Sequence, residues 1–216
     1  MKHLTRTLAL PTALAATLVL SACGSAEMSG MSGTNHSAST ASSAPANNTK
    51  NANTTKNKAD VTFASMMIPH HAQAVSMADM ALAQATNPKV KALAPKIKAA
   101  QGPEIELMSG WLTGWGAPVP AADGGSDMSG MEGMGDQTGG MMSDKEMTAL
   151  KSATGSAFDR MWLQMMVKHH QGALDMAKTA LDQGANPEAK KLAKSIIDSQ
   201  SAEIAEMNSI LTELPA

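Results

Sequence analysis

The chain has 216 residues, a formal net charge of −2, 43% hydrophobic residues, 19 methionines, two phenylalanines, no tyrosine and one cysteine. A near-neutral balance with no basic block in the mature part gives no footing for nucleic acid or for an anionic surface, and a single cysteine excludes a disulfide framework. Any core must be filled largely by methionine and small aliphatic residues.

Lys2 and Arg6 precede an apolar run from Leu8 to Leu20, the pattern of a secretory signal. The run is too short to span a bilayer as a helix. It ends in Leu20-Ser21-Ala22-Cys23, which resembles a bacterial lipobox, so residues 1–22 read as a lipoprotein signal peptide and Cys23 as the lipidated residue. From there to residue 59 the chain is mostly Ser, Thr, Asn, Ala and Lys. Such a segment buries too little apolar surface to order itself and is expected to be a disordered tether, with a reach of roughly 30 Å as a flexible coil. The folded part is therefore expected outside the cytoplasm, in the periplasm or on the outer face of the membrane, touching the membrane only through its lipid.

Residues 60–213 hold one unit written twice. Residues 60–113 align without a gap on 159–212 at a shift of 99, with 23 of 54 positions identical. Asn87-Pro88 and Asn186-Pro187 each read as an N-cap followed by proline at the first helical position. Each unit is thus a helical hairpin, with helices predicted over 60–85 and 88–113, and over 156–184 and 187–213. β-Branched alternation is absent, so no strand is predicted. Pro69, Pro95 and Gly102-Pro103 predict bends in the first unit. Between the units, residues 114–142 form a Met- and Gly-rich crossover, too long for a plain turn and expected to be mobile. The second unit, 143–213, opens on Ser143 and Glu146, which predict a capping box for a short lead-in helix that Gly155 separates from the long one. The fold class expected is all-α, a four-helix bundle built from two duplicated hairpins.

The stretch "MMIPHHAQAVSMADMAL" begins at Met66, and "MMVKHHQGALDMAKTAL" begins at Met165. At helical spacing Met66, His70, Gln73, Met77 and Met80 share one stripe of about 80°. A more apolar stripe beside it, through Phe63, Met67, His71 and Ala74, is expected to face the core and to leave the first on the flank. The second unit repeats this, with Met165, His169 and Met176 on the flank and Trp162, Met166 and His170 inside. Residues three or four apart stack on adjacent turns, so Met66 and Met67 lie over His70 and His71, and Met165 and Met166 over His169 and His170. Thioether suits Cu(I) and imidazole suits copper or zinc, so the pair selects copper. Met80, Met108, Met161 and Met207 are assigned to packing. Met128, Met131, Met134, Met141 and Met142 lie in the crossover, where no core is expected, and are secondary metal candidates; low-complexity drift is the alternative.

Phe158-Asp159-Arg160, the run Met165 to Ala173 with Met176-Ala177, and Phe63 to Ala78 resemble the bacterial copper-associated family called domain of unknown function number 305, over roughly residues 60–213. The resemblance implies a ferritin-like bundle outside the cytoplasm, copper binding by helix-borne Met and His, and a role in copper tolerance. The first unit departs from the Phe-Asp-Arg lead-in, having Asp60-Val61-Thr62-Phe63, which leaves its helix start open. Two other classes compete. A metal-free envelope lipoprotein, serving interaction or absorbing oxidants with its methionines, leaves the paired histidines unexplained. A ferritin-like metal oxidase needs Glu-x-x-His motifs, which the chain lacks. No carboxylate lies in the histidine stripes, and Glu104 and Glu203 are far from any histidine in sequence. The reading is a non-enzymatic lipoprotein that captures or buffers copper, mainly Cu(I), for tolerance or for transfer to a copper-handling partner. Its metal ligands are Met66, Met67, His70, His71, Met77, Met165, Met166, His169, His170 and Met176.

Overall fold

The structure, a computed structural model, describes residues 55–121 and 139–214. Cys23, the signal segment, most of the tether and Met128, Met131 and Met134 lie outside the described residues. Among the described residues the chain forms helices and no strands: α1 (Lys58–Gln84), α2 (Pro88–Gly114), α3 (Asp144–Ser152), α4 (Gly155–Gln183) and α5 (Pro187–Glu213).

Local chemistry sets these ends. α1 starts two residues earlier than the repeat suggests, because Asn57 and Asp60 form a reciprocal capping box: the Asn57 side chain accepts from the Asp60 N–H at 3.1 Å, and Asp60 accepts from the Asn57 N–H at 2.8 Å. Asn87 and Asn186 cap α2 and α5 ahead of their prolines. Ser143 and Glu146 form the predicted box on α3, and the Ser143 backbone N–H holds the Glu146 carboxyl down at about 2. Gly155, at φ 60°, turns the chain from α3 into α4 in the left-handed region that glycine tolerates. α1 and α2 run through Pro69, Pro95 and Pro103 without interruption. Each proline removes one backbone bond, and packing along the helix holds the rest.

α1 packs on α2, α4 on α5, and the two hairpins meet through α1 and α4. Each hairpin also holds the other's turn. Asp60 of α1 accepts from the backbone N–H groups of Ala185 and Asn186 at 3.1 Å, while Asp159 of α4 accepts from Thr86 at 3.0 Å and Asn87 at 2.8 Å. Asp60 and Asp159 are matched residues of the repeat, and both are buried. Their lone pairs satisfy N–H groups that the turns would otherwise bury unpaired.

Two apolar clusters fill the interior. One joins Met77, Ala78, Leu93, Ile97, Phe158, Trp162, Met166 and Met207; the other joins Phe63, Met67, Met108, Leu112, Ala177 and Ile196. Each takes one half of every long helix, so the middle of α1 and α4 lies between them. That middle carries the histidines.

The crossover's last residues are not free of the helices as expected. Met142 is only 4% exposed and belongs to the first cluster, and its backbone N–H and C=O both bond the Gln73 side-chain amide, at 2.7 and 2.8 Å. Residues 139–142 form a strap across α1 and α4.

Candidate metal centre

α1 and α4 cross where their histidines face each other. The His70 and His169 rings lie 3.7 Å apart between centroids with a 36° tilt, and His71 and His170 flank them at 6.5 and 6.4 Å from their neighbours. All four side chains are buried. His70, Met77 and His169, which helical periodicity placed on a flank, are as buried as the core stripe. The reason is that α1 and α4 each pack on two partners, their own hairpin mate and each other, so both stripes are covered.

Hydrogen bonds fix the ring orientations. His71 Nε2 donates to Glu104 Oε2 at 2.7 Å, and His170 Nε2 donates to Glu203 Oε2 at 2.7 Å. His70 Nε2 donates to the Gly139 carbonyl, on the strap, at 3.1 Å. A carboxylate or carbonyl only accepts, so these partners place the proton on Nε2 and leave the Nδ1 lone pair free. Glu104 and Glu203, far from any histidine in sequence, come beside them in space because α2 and α5 carry them inward against α1 and α4. Each Glu lies 33 residues beyond its histidine, and one turn beyond a matched buried glutamine, Gln101 or Gln200. Their identical placement in both repeats was the signal that could have found them.

Eight buried side-chain atoms in this belt have no hydrogen-bond partner among the described residues: Nδ1 of His70, His71, His169 and His170, Nε2 of His169, both amide atoms of Gln101, and Oε1 of Gln200. The His70 backbone lies close to the His169 ring and slightly raises its pKa, but outside hydrogen-bond geometry. An unsatisfied buried polar group costs about 1–3 kcal/mol, which for the whole belt is on the order of 10 kcal/mol. That is comparable to the entire margin of a folded domain, about 5–15 kcal/mol. A metal that met the imidazole lone pairs among them, one on each of the four rings, would relieve about half of that cost.

Burial also sets their charge. Loss of solvation, reinforced by the neighbouring His71, lowers His70 to about 3 against an opposing bond from Gly139. The same desolvation, with His70, His170 and His71 nearby, holds His169 well below its ordinary value. Both rings are neutral at physiological pH. A metal would bind them without displacing a proton.

Sulfur completes the donor set. Met67, Met77 and Met166 are fully buried, Met66 is nearly so, and Met165 and Met176 are half-buried. Met66 and Met176 line a cavity of about 650 Å³ between α1 and α4, with Phe63, Gly139 and Gly172. Among the described residues no three His, Cys, Asp or Glu side chains are arranged to hold a metal by themselves, so a metal here would need thioethers beside the imidazoles. Mixed thioether and neutral imidazole is a soft donor set. The residues present fit copper. Of the methionines assigned to packing, Met108 and Met207 are fully buried in the apolar clusters, and Met80 and Met161 pack against one of them. Met141 is half-buried on the strap.

Comparison with known proteins bears on this geometry. The chain is similar to a DUF305 protein from Streptomyces coelicolor, described as secreted, at 32% identity over 72% of this chain and 91% of that one, with a TM-score of 0.63. It is similar to CopM, whose solved structures include a Cu(II)-bound form (38% identity, 71% of this chain and 96% of that one, TM-score 0.59) and a Cu(I)-bound form (35%, 73% and 98%, TM-score 0.59). An uncharacterised protein of Acanthamoeba polyphaga mimivirus is 46% identical over 55 residues, 26% of this chain and 36% of that protein, so the match spans about a third of the viral relative. The family model described as Domain of unknown function (DUF305) matches residues 60–211. With the match running from the capping-box Asp60 to the last turns of α5, this chain belongs to the DUF305 family.

Proposed function

We propose that this protein captures or buffers copper, mainly as Cu(I), outside the cytoplasm, using the imidazoles and thioethers where α1 crosses α4. One observation carries the reading: five imidazole nitrogens are buried without partners, and three of the four rings are turned by Glu104, Glu203 or Gly139 so that the free lone pair is Nδ1. A carboxylate behind an imidazole is the arrangement that orients metal-bound histidine and raises its basicity. The similarity to CopM, solved with Cu(I), Cu(II) and Ag, supports copper as the cargo.

In this reading the four long helices are a ferritin-like four-helix bundle whose centre holds a transported ion rather than a catalytic di-metal cluster, and the protein is a binder, not an enzyme. Residues 1–22 direct export, Cys23 carries the lipid, and the segment to residue 59 tethers the bundle. Copper held here serves tolerance or passes to a copper-handling partner. The test is copper per chain after anaerobic loading, for the wild type and for the variant with His70, His71, His169 and His170 all changed to Gln. The wild type should retain copper through gel filtration and the variant should lose it. Equal copper in both would overturn the assignment.

A further inference from the structure

The open cavity between α1 and α4 has a closed twin. The shift of 99 residues matches its wall residues Ala59, Thr62, Phe63, Met176 and Thr179 with Phe158, Met161, Trp162, Met77 and Met80. Those five matches belong to the first apolar cluster or pack against it, and there Met142 of the strap and Leu150 of α3 fill the groove. The first repeat has nothing equivalent to put in its own. In the register of α3, residues 45–53 read Pro-Ala-Asn-Asn-Thr-Lys-Asn-Ala-Asn, with no large apolar side chain. Ala59, Thr62 and Thr179 are also smaller or more polar than Phe158, Met161 and Met80. One end of the α1–α4 groove is thus sealed with apolar side chains, while the other keeps a mouth of about 650 Å³ that water can wet.

That mouth leads toward the buried histidines. Met66 and Gly172, about a turn from His70 and His169 along their helices, stand in its wall. Gly139 stands there too, and its carbonyl accepts the His70 Nε2–H at 3.1 Å. The backbone of Gly139 therefore separates the cavity from the His70 ring.

The strap at this point has no side chain to lock it. A Cβ on Gly172 would overlap the Gly139 carbonyl, and one on Gly140 would come within 3.0 Å of the His169 carbonyl oxygen, so backbone rests directly on backbone. Gly140, at φ 82°, lies in the left-handed region that glycine tolerates and can act as a hinge. Gly139 and Gly140 also border a second hollow, of about 440 Å³, with Val167, Lys168 and Gln171. Space to swing into is therefore present. The fixed point lies two residues on, where the Gln73 amide bonds both backbone groups of Met142. The residue matching Gln73 in the second repeat is Gly172, which offers no such hold.

We propose that metal ions enter and leave the histidine pair through this cavity, and that Gly139 and Gly140 form the gate between the cavity and His70. Opening breaks the bond from His70 Nε2 to the Gly139 carbonyl and swings the glycines toward the second hollow, with Gln73 holding the strap at Met142. The inference rests on the copper-binding reading and adds to it the route of exchange.

The full chain is loaded with Ag(I), a redox-inert soft cation, and stripped by an excess of free thiol, with both rates read by stopped-flow tryptophan fluorescence. The variant Ala59→Phe, Thr62→Met, Thr179→Met gives the cavity the walls of its sealed twin. A barrier on the route is crossed in both directions, so filling the cavity should slow loading and stripping by one common factor, tenfold or more, with Kd and the amount bound unchanged. Gln73→Gly, which takes the residue of the second repeat, loosens the strap and should speed both rates by a common factor. Wild-type rates in the filled variant would overturn the route, and equilibrium Ag(I) binding would leave the copper-binding function standing. A filled variant that folds but no longer binds Ag(I) would make these walls part of the site itself and would equally overturn the route. Should the filled variant not fold, Gln73→Gly decides, and wild-type rates there would overturn the gate. If the wild type binds no Ag(I), the function and the route fail together.

Discussion

Acid should destabilise the copper-free protein through its buried histidine pair, in a window where most carboxylates are still ionised. In the folded chain burial keeps His70 and His169 neutral; unfolded, each takes a proton near the ordinary value of 6.5. Below that value the unfolded state binds more protons, so acid favours it. Their neutrality therefore costs nothing above pH 6.5, and the cost grows as pH falls toward about 3, where His70 itself protonates in the fold. Between about pH 6.5 and 5 the loss is roughly 1.5 pH units at 1.36 kcal/mol each, about 2 kcal/mol for His70. His169, also held well below its ordinary value, adds a similar amount, for about 4 kcal/mol in all. Urea denaturation of chelator-treated protein at several pH values across this window measures the loss. The same series on the His70→Gln, His169→Gln double variant gives the background from all other groups. The wild type should lose about 4 kcal/mol more than the variant. Parallel curves would refute the neutral buried pair.

Changing Met66, Met67, Met165 and Met166 together to Leu keeps volume and apolarity, at a cost usually below about 1.5 kcal/mol for each swap. It should preserve helix content while weakening Cu(I), measured against a Cu(I) chelator, far more than Zn²⁺; full Cu(I) affinity would make these sulfurs packing alone. Glu104→Gln with Glu203→Gln keeps an acceptor behind each imidazole but removes its charge, and should lower copper affinity roughly 10- to 100-fold, with unchanged affinity showing that the carboxylates do not act on the metal. Cys23→Ala should move the protein from the membrane fraction to the soluble extracytoplasmic fraction without altering copper binding in solution, and unchanged fractionation would contradict the lipid anchor.

Local features were legible in the sequence because local chemistry determines them. The asparagine caps, the Ser143–Glu146 box and the break at Gly155 are each settled within a few residues, and the doubled Met-Met-x-x-His-His run followed from helical spacing. What the sequence hid depends on how separate helices slide and rotate against each other. Asp60 and Asp159 reach turns in the opposite hairpin. Glu104 and Glu203 meet histidines 33 residues away only once α2 and α5 are in register with α1 and α4. Periodicity gave each first helix one buried face, whereas α1 and α4 each have two neighbours and bury both stripes. The strap was hidden because composition made residues 114–142 read as uniform, while Gln73 and Met142 pair across 69 residues. A deletion ending at Met142 would remove a buried core residue along with its thioether.

X-ray absorption at the copper edge of the full chain, loaded anaerobically, tests the central claim most directly, because it reports oxidation state and ligand type together. The account predicts Cu(I) with sulfur and imidazole nitrogen in the same coordination shell, and loss of the imidazole signal when His70, His71, His169 and His170 are changed to Gln. A shell of nitrogen and oxygen without sulfur, or a sulfur-only shell that the histidine variant leaves unchanged, would contradict it.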